Sequence, residues 1–240
     1  MSKLGYCSRS QAWELIKAGR VRVNGRGQRD AEARVEPGRD RIEVDGVVVG
    51  AAERVYVMLN KPRGLVTTAA DEQGRETVFQ CFAGSNLPRL SAVGRLDMAS
   101  EGLLLFTNDT AWAARITAPE SRLEKTYHVQ IDRVADAELL EQLTRGARDE
   151  GEWLAAKRGA CLRAGEKNSW LEIVLDEGKN RHLRRLLGAL GIEVLRLVRV
   201  AIGTLALGEL AKGKWRRLTV AETRALAIPP AANGPEKPDS

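Results

Sequence analysis

The chain reads as a mixed protein of strands and short helices in two unequal pieces, and three features carry that expectation. Its 240 residues are enough to bury a substantial core and to hold a large domain with a small appendage. Apolar residues fall in short alternating or continuous runs in some stretches and at three-to-four spacing in others, so strands and amphipathic helices both occur. A break around Gly50 to Arg54 separates a helix-and-hairpin unit from the longer remainder.

The first piece opens on a helix. Ser8-Arg9-Ser10-Gln11 forms a capping box, followed by Ala12, Leu15 and Ile16 at helical spacing, and Gly19 stops the helix. Val21 and Val23 then alternate with Arg20 and Arg22 into an Asn24-Gly25 hairpin turn, and Val35, Ile42, Val44 and Val47 to Val49 supply short strands. The longer piece begins with the apolar strand Val55 to Leu59, which Asn60-Lys61-Pro62-Arg63-Gly64 breaks. A polar excursion from Thr68 to Arg89 leads to AVGRLDMASEGLLLFTND, residues 92–109.

Asn108 or Asp109 can cap a helix over Ala111 to Ile116, and Glu124 to Ile131 alternates as a strand. Asp136 to Gly146 is a capped amphipathic helix with Leu139, Leu140 and Leu143 on one face, and Trp170 to Leu175 is another strand. Leu183, Leu186, Leu187 and Leu190 make a further helical stripe that leaves Arg181, Arg184 and Arg185 on a basic face. The expected division is a first domain at 1–49, a linker at 50–54, a second domain at 55–228 and a disordered tail at 229–240, where Pro, Ala and charge lack periodicity.

Lys and Arg outnumber Asp and Glu by 38 to 32, and between Glu177 and Arg217 ten basic residues face three acidic ones, a local excess that suits a polyanion. Cys7, Cys81 and Cys161 are dispersed and only His128 and His182 are available, so neither a disulfide framework nor a metal site is expected. No apolar stretch reaches the ~20 residues that span a bilayer, and no signal core is present, so a reduced cytoplasmic protein, monomeric by default, is expected.

Chemistry concentrates in the central stretch. Gly94 permits a tight turn, Arg95 and Asp97 project together from extended backbone, and Gly102 opens the run Leu103 to Phe106. A carboxylate beside a guanidinium, braced by a core strand, marks a candidate site with Asp97 as its acting group.

That stretch resembles the signature of bacterial ribosomal-RNA pseudouridine synthases: Gly-Arg-Leu-Asp, then Gly-Leu-Leu-Leu and Thr-Asn-Asp, with Thr110 here in place of the usual Gly. The Asn60 to Gly64 segment, Lys125-Thr126-Tyr127, the run Glu177 to Arg185, Leu197-Val198-Arg199 and Gly213-Lys214-Trp215-Arg216 resemble further motifs of that family, with His182 where Gln is common. GYCSRSQAWELIKAGRVRVNGR resembles the S-four type RNA-binding domain, named for a ribosomal protein. Only Met1 to Lys3 precede the matching stretch where that family has an apolar first helix, so the module is expected to be shortened, or the chain to start upstream.

The resemblance runs from about Leu4 to Leu218 and implies an α+β protein: a small S-four domain, then a catalytic domain on a mixed, mainly antiparallel sheet with its site in a cleft along it. It implies conversion of a ribosomal RNA uridine to pseudouridine through Asp97, on 23S or 16S RNA or an assembly intermediate, with a slight lean to 23S. No cofactor is required, since the reaction exchanges a nitrogen linkage for a carbon linkage within one nucleotide. Arg184 matches the arginine that pairs with the aspartate, Tyr127 the aromatic that stacks on the flipped base, and Arg95 is placed to fill the vacated space. Arg9, Lys17, Arg20 and Arg22 of the first domain, with Lys61, Arg181 and Arg185, are the expected RNA contacts. Two other classes remain open from sequence: a non-catalytic RNA-binding assembly factor on this fold, and a nucleoside glycosidase, which ordinarily needs a second catalytic carboxylate.

Overall fold

The computed structural model describes residues 1–36, 39–50, 52–69 and 71–227, so the expected tail lies outside the described residues. The first domain carries a short 3-10 turn, Ser2–Leu4, and helix α1, Arg9–Lys17. The capping box forms as expected, with the Ser8 hydroxyl accepting from Gln11 N and the Gln11 side chain accepting from Ser8 N. Strands β1 (Val21–Val23), β2 (Arg26–Gly27), β3 (Ile42–Val44) and β4 (Val47–Val48) make an antiparallel sheet in the order β2-β1-β3-β4. Val21, Ile42, Val44 and Val49 form its small core, against which Leu4, Leu15 and Ile16 lie partly buried.

The second unit is built on a nine-stranded sheet. In chain order its elements are β5 (Tyr56–Lys61), β6 (Ser91–Val93), β7 (Glu101–Thr107), α2 (Thr110–Thr117), β8 (Lys125–Ile131), α3 (Ala137–Arg145), the hairpin β9 (Ala147–Asp149) and β10 (Glu152–Leu154), β11 (Arg158–Ala164), β12 (Ser169–Leu175), α4 (His182–Ala189), β13 (Val194–Ile202), β14 (Leu205–Ala206), β15 (Trp215–Arg217) and α5 (Val220–Ala227). The main sheet runs β11-β12-β8-β13-β7-β5-β15, with β14 on β13 and β6 on β7. Every pairing in it is antiparallel except β7 with β13, which is the mixed, mainly antiparallel sheet that the resemblance implied.

All seven residues of β7 are buried because both of its faces are covered, which is why it reads as an unbroken apolar run. Leu103 and Leu105 pack with Met58, Trp112 and Ile116 on one side, while Leu104 and Phe106 pack with Val57, Leu59, Val78 and Leu96 on the other. A third cluster joins α3 and α4 to strands β8 and β12 through Val129, Ile131, Leu143, Ile173, Leu183 and Leu187. The excursion from Thr68 to Arg89 is less polar in place than in composition. Its 3-10 segment Val78–Phe82 buries Val78 and sets Phe79 and Phe82 edge-on to Phe106 at ring distances of 5.6 and 4.8 Å.

Asn108 and Asp109 take separate roles after β7. Asp109 caps α2, its Oδ1 accepting from Ala111 N and Trp112 N, each at 3.1 Å. Asn108 holds the segment entering β5, accepting from Val55 N at 2.8 Å and donating to Glu53 O at 2.8 Å. Among the described residues, no helix is long and apolar enough to cross a membrane.

Candidate active site

Between β6 and β7 the chain makes an irregular loop, Gly94 to Ser100. Leu96 is driven into the core beside Leu59, Leu104 and Phe106, which turns its neighbours Arg95 and Asp97 outward. Thr67 Oγ1 donates to Leu96 O at 2.7 Å and fixes that anchor. Arg95 is exposed, and the Asp97 side chain retains 38 % of its exposure.

Beneath the loop lies Lys61, with no exposed surface. Its ammonium donates to the carbonyls of Pro62, Asp97, Met98 and Ser100 at 3.2, 3.0, 3.4 and 2.8 Å. Burial pulls its pKa down to about 8, opposed by the negative charges of Asp97 and Glu101. Lys61 is therefore a clamp on the loop backbone, which corrects its expected role as an RNA contact: a side chain without exposed surface cannot meet a phosphate.

Asp97 faces a cleft of about 780 Å³ lined by the loop, the segments 116–119 and 176–184, and strands β8 and β13. Tyr127 reaches the cleft from β8, opposite Ile173 of β12 and Arg199 of β13. The ring is half-buried where two core clusters meet, so it is both a packing residue and part of the cleft wall. Arg199 and Lys125, to which no role was given from sequence, also line the cleft. Arg199 is buried and donates from Nε to Leu103 O at 2.7 Å; burial, then the charge of Arg199, lowers the pKa of Lys125. Lys125 was findable from the period-two alternation that puts it on the face of Tyr127; Arg199 required the β13 register.

Three arginines of the Asn180 to Arg185 run part company in space. Arg181 precedes α4 with φ 48°, ψ 31° and places Nη1 3.7 Å from Asp97 Oδ2. Arg184, matched by position to the aspartate's partner, lies close enough for the Asp97 charge to be felt, yet its hydrogen bonds go to backbone: Nη2 to Ala99 O at 3.3 Å and Nη1 to Val194 O at 3.4 Å. It thus ties the loop to β13, and Arg181 makes the ion pair with the carboxylate. Arg185 is bound to Asp149 Oδ2 at 2.6 Å and Glu152 Oε2 at 2.7 Å, with 19 % of its side chain exposed. That removes it from the expected RNA contacts, because two carboxylates of the β9–β10 hairpin already satisfy its fork. His182, beside the cleft, is 4 % exposed, and burial followed by the charge of Lys179 holds its pKa below the usual value.

On the first domain, Arg9, Lys17, Arg20 and Arg22 are all exposed. Lys17 stands over the Trp13 ring at 3.6 Å, and Arg20 is paired with Asp45 at 2.5 Å. Among the described residues, no group of three or more His, Cys, Asp or Glu side chains is arranged to hold a metal ion.

Comparison with known proteins gives this arrangement its context. A family model described as RNA pseudouridylate synthase matches residues 55–189, and an S4 domain model matches residues 1–42. The chain is 39 % identical over 225 residues to ribosomal large subunit pseudouridine synthase B of Bacillus subtilis (strain 168), covering 92 % of this chain and 91 % of that protein. The protein of the same name from Shigella flexneri is 36 % identical, with 94 % and 80 % covered. A crystal structure of a pseudouridylate synthase superposes with a TM-score of 0.66 at 30 % identity, over 93 % of this chain and 95 % of that one. The carboxylate loop, the cleft and the two matched domains together belong to one lineage: this chain is a member of the RNA pseudouridylate synthase family, with an N-terminal S4 domain.

Proposed function

We propose that the protein converts one uridine of large-subunit, 23S, ribosomal RNA to pseudouridine, with Asp97 as the acting carboxylate. The observation that carries this is the placement of Asp97 at the mouth of a nucleotide-sized cleft, on a loop whose backbone a fully buried Lys61 holds by the Asp97, Met98 and Ser100 carbonyls. The large-subunit choice draws on the names of the Bacillus and Shigella relatives.

In the reaction, the bond from the ribose anomeric carbon to the ring nitrogen breaks and a bond from the same carbon to a ring carbon forms. That ring carbon loses its proton, the freed nitrogen takes one up, and no cofactor is called for. Asp97 acts at the anomeric carbon or the base, as nucleophile or charge stabiliser. The target leaves its stack to reach the cleft, at a cost of about a few kcal/mol. Tyr127 offers its face to the extruded base, a contact worth roughly 1–3 kcal/mol by analogy with single-strand binders. Arg95, exposed beside the loop, fills the vacated space, and Arg184 supports Asp97 by holding Ala99 O.

Arg9, Lys17, Arg20 and Arg22 supply salt-sensitive contacts to RNA outside the cleft; Arg20 gives up Asp45 to do so. Residues 1–49 act as the RNA-binding domain and 55–228 as the catalytic domain, joined by 50–54, and the protein works as a monomer in the cytoplasm on free RNA or an assembly intermediate.

The test incubates purified protein with separate unmodified 16S and 23S transcripts and maps pseudouridine by carbodiimide labelling and primer extension, with Asp97→Asn as control. A single new stop on 23S, reduced at least about 10³-fold in rate in the variant, is expected. A stop on 16S alone overturns the subunit assignment. Tight, salt-sensitive binding with no stop on either RNA overturns the enzymatic reading in favour of a binding factor.

A further inference from the structure

Three cations surround the Asp97 loop, and two of them are committed to backbone. Lys61 lies under it with all its bonds to carbonyls, and half-buried Arg184 spans Ala99 O and Val194 O. Only Arg181 is printed against the carboxylate itself among the described ion pairs, and its hold is loose. At 3.7 Å the Nη1 to Oδ2 contact is longer than a charge-assisted hydrogen bond, and the two side chains keep 54 % and 38 % of their exposure. An exposed pair of this kind is screened by water and salt, so a competing anion displaces it readily.

The neighbours of Arg181 are held. Lys179 reaches Trp153 O and Glu177 Oε2, each at 2.8 Å, and Arg185 is bound by Asp149 and Glu152. Between these anchors Arg181 adopts a left-handed backbone conformation at φ 48°, which a non-glycine residue adopts at a cost, and this sets its side chain at the cleft mouth. An incoming nucleotide faces a difficulty there: its phosphates must approach the Asp97 carboxylate, and like charges at that distance repel. A guanidinium poised at the carboxylate removes the conflict, since its planar fork accommodates phosphate oxygens as well as carboxylate.

We propose that Arg181 is a shared cation: in the empty cleft it orients the Asp97 carboxylate, and when RNA enters it turns to a backbone phosphate beside the target uridine. The inference rests on the function proposed above. It makes Arg181 a positioning residue, separate from Arg184, whose part is to hold the loop.

The test is a double-mutant cycle on affinity for the unmodified 23S transcript, using the wild type, Asp97→Asn, Arg181→Met and the double variant over a series of salt concentrations. With Arg181 present, Asp97→Asn releases the guanidinium to RNA, and binding is expected to tighten about threefold to tenfold, with the salt slope steeper by roughly 0.7, one additional phosphate. In the Arg181→Met background the same substitution is expected to change affinity less than about twofold. Equal tightening in both backgrounds would show plain carboxylate–phosphate repulsion and overturn the proposal, as would no tightening in either. Kinetics give a second readout: Arg181→Met raises KM for RNA and lowers the single-turnover rate, and Arg181→Lys restores part of both, whereas unchanged kinetics in Arg181→Met overturns the role. Wild-type turnover on the same transcript separates the two levels. An active wild type with a flat cycle removes only the Arg181 proposal, while an inactive wild type removes the function on which it rests.

Discussion

Around the cleft, the basic side chains nearest Asp97 are turned into the protein: Lys61 against loop carbonyls, Arg199 against Leu103 O, Arg184 against Ala99 O and Arg185 against two carboxylates. On the small N-terminal domain, Arg9, Lys17 and Arg22 stand on solvent-facing surfaces, and α1 buries none of its nine residues. The same residue types therefore do different work in the two regions. Where a strand or loop carries a cation under a packed sheet, dehydration compels it to satisfy carbonyls or carboxylates, and it shapes the backbone. Where a marginal helix carries it outward, it stays hydrated and available to phosphate. Position in the burial gradient, more than the density of charge, decides which cations meet RNA.

The largest expected effect comes from breaking the inward class at Lys61. Lys61→Met leaves the Asp97, Met98 and Ser100 carbonyls without their donor, and each unsatisfied buried group costs about 1–3 kcal/mol. Denaturant unfolding is expected to show a loss of about 3 kcal/mol, partly offset by removal of a buried charge, and turnover should fall with it. The pH dependence has a definite sign. The native pKa of Lys61, about 8, lies below its ordinary 10.5, so between those values the unfolded chain holds a proton that the folded one has released, and this group's contribution to stability rises with pH. Comparing unfolding at pH 8 and pH 10 in the two proteins checks it, since the variant should lack that increment.

Gly102→Ala tests the frame on which those cations sit, with a somewhat smaller or comparable effect. Gly102 has φ +101°, and a Cβ there would lie 2.2 Å from Arg199 O, backbone of the parallel neighbour β13. The variant is expected to lose about 2–3 kcal/mol through separation of β7 from β13, read as a lowered Tm. An unchanged Tm would mean that the β7–β13 contact yields cheaply and that the cleft wall is softer than its burial indicates.

The smallest effect sharpens the outward side of the comparison. Arg9→Ala and Arg22→Ala should leave stability within about 0.5 kcal/mol. Each should weaken RNA binding and make the salt slope shallower by roughly 0.7 to 0.9, without altering which uridine is modified. A stability loss as large as that from Lys61→Met would erase the distinction between the two regions.

Much of the site was legible in the chain. GRLD followed by EGLLLFTND placed a carboxylate on a glycine-bounded turn before a buried strand, and the alternation of Arg95, Leu96 and Asp97 about a buried Leu96 is the local pattern that turns both charges outward. Period-two and helical spacing located β8, α3, β12 and α4 to within a few residues. Lys61 and Arg185 read as RNA contacts because a charged residue in a loop or off a helical stripe is ordinarily solvated. Nothing local signals that a loop will fold over the first, or that a hairpin more than thirty residues upstream will present Asp149 and Glu152 to the second.

What the sequence determined by itself was the set of local preferences: the capping boxes, the strand and helix periods, the glycines that permit positive φ, and the motif that names the lineage. These are written in residues a few positions apart, where sterics and hydrogen bonding act directly. What only the tertiary structure decided was partnership. The choice of Arg181 over Arg184 at the Asp97 carboxylate, the burial of Lys61, and the presence of Arg199 and Lys125 on the cleft wall depend on strand order and on the parallel seam of β7 with β13. The energy of a charge is set by what surrounds it, and those surroundings come from segments distant in the chain.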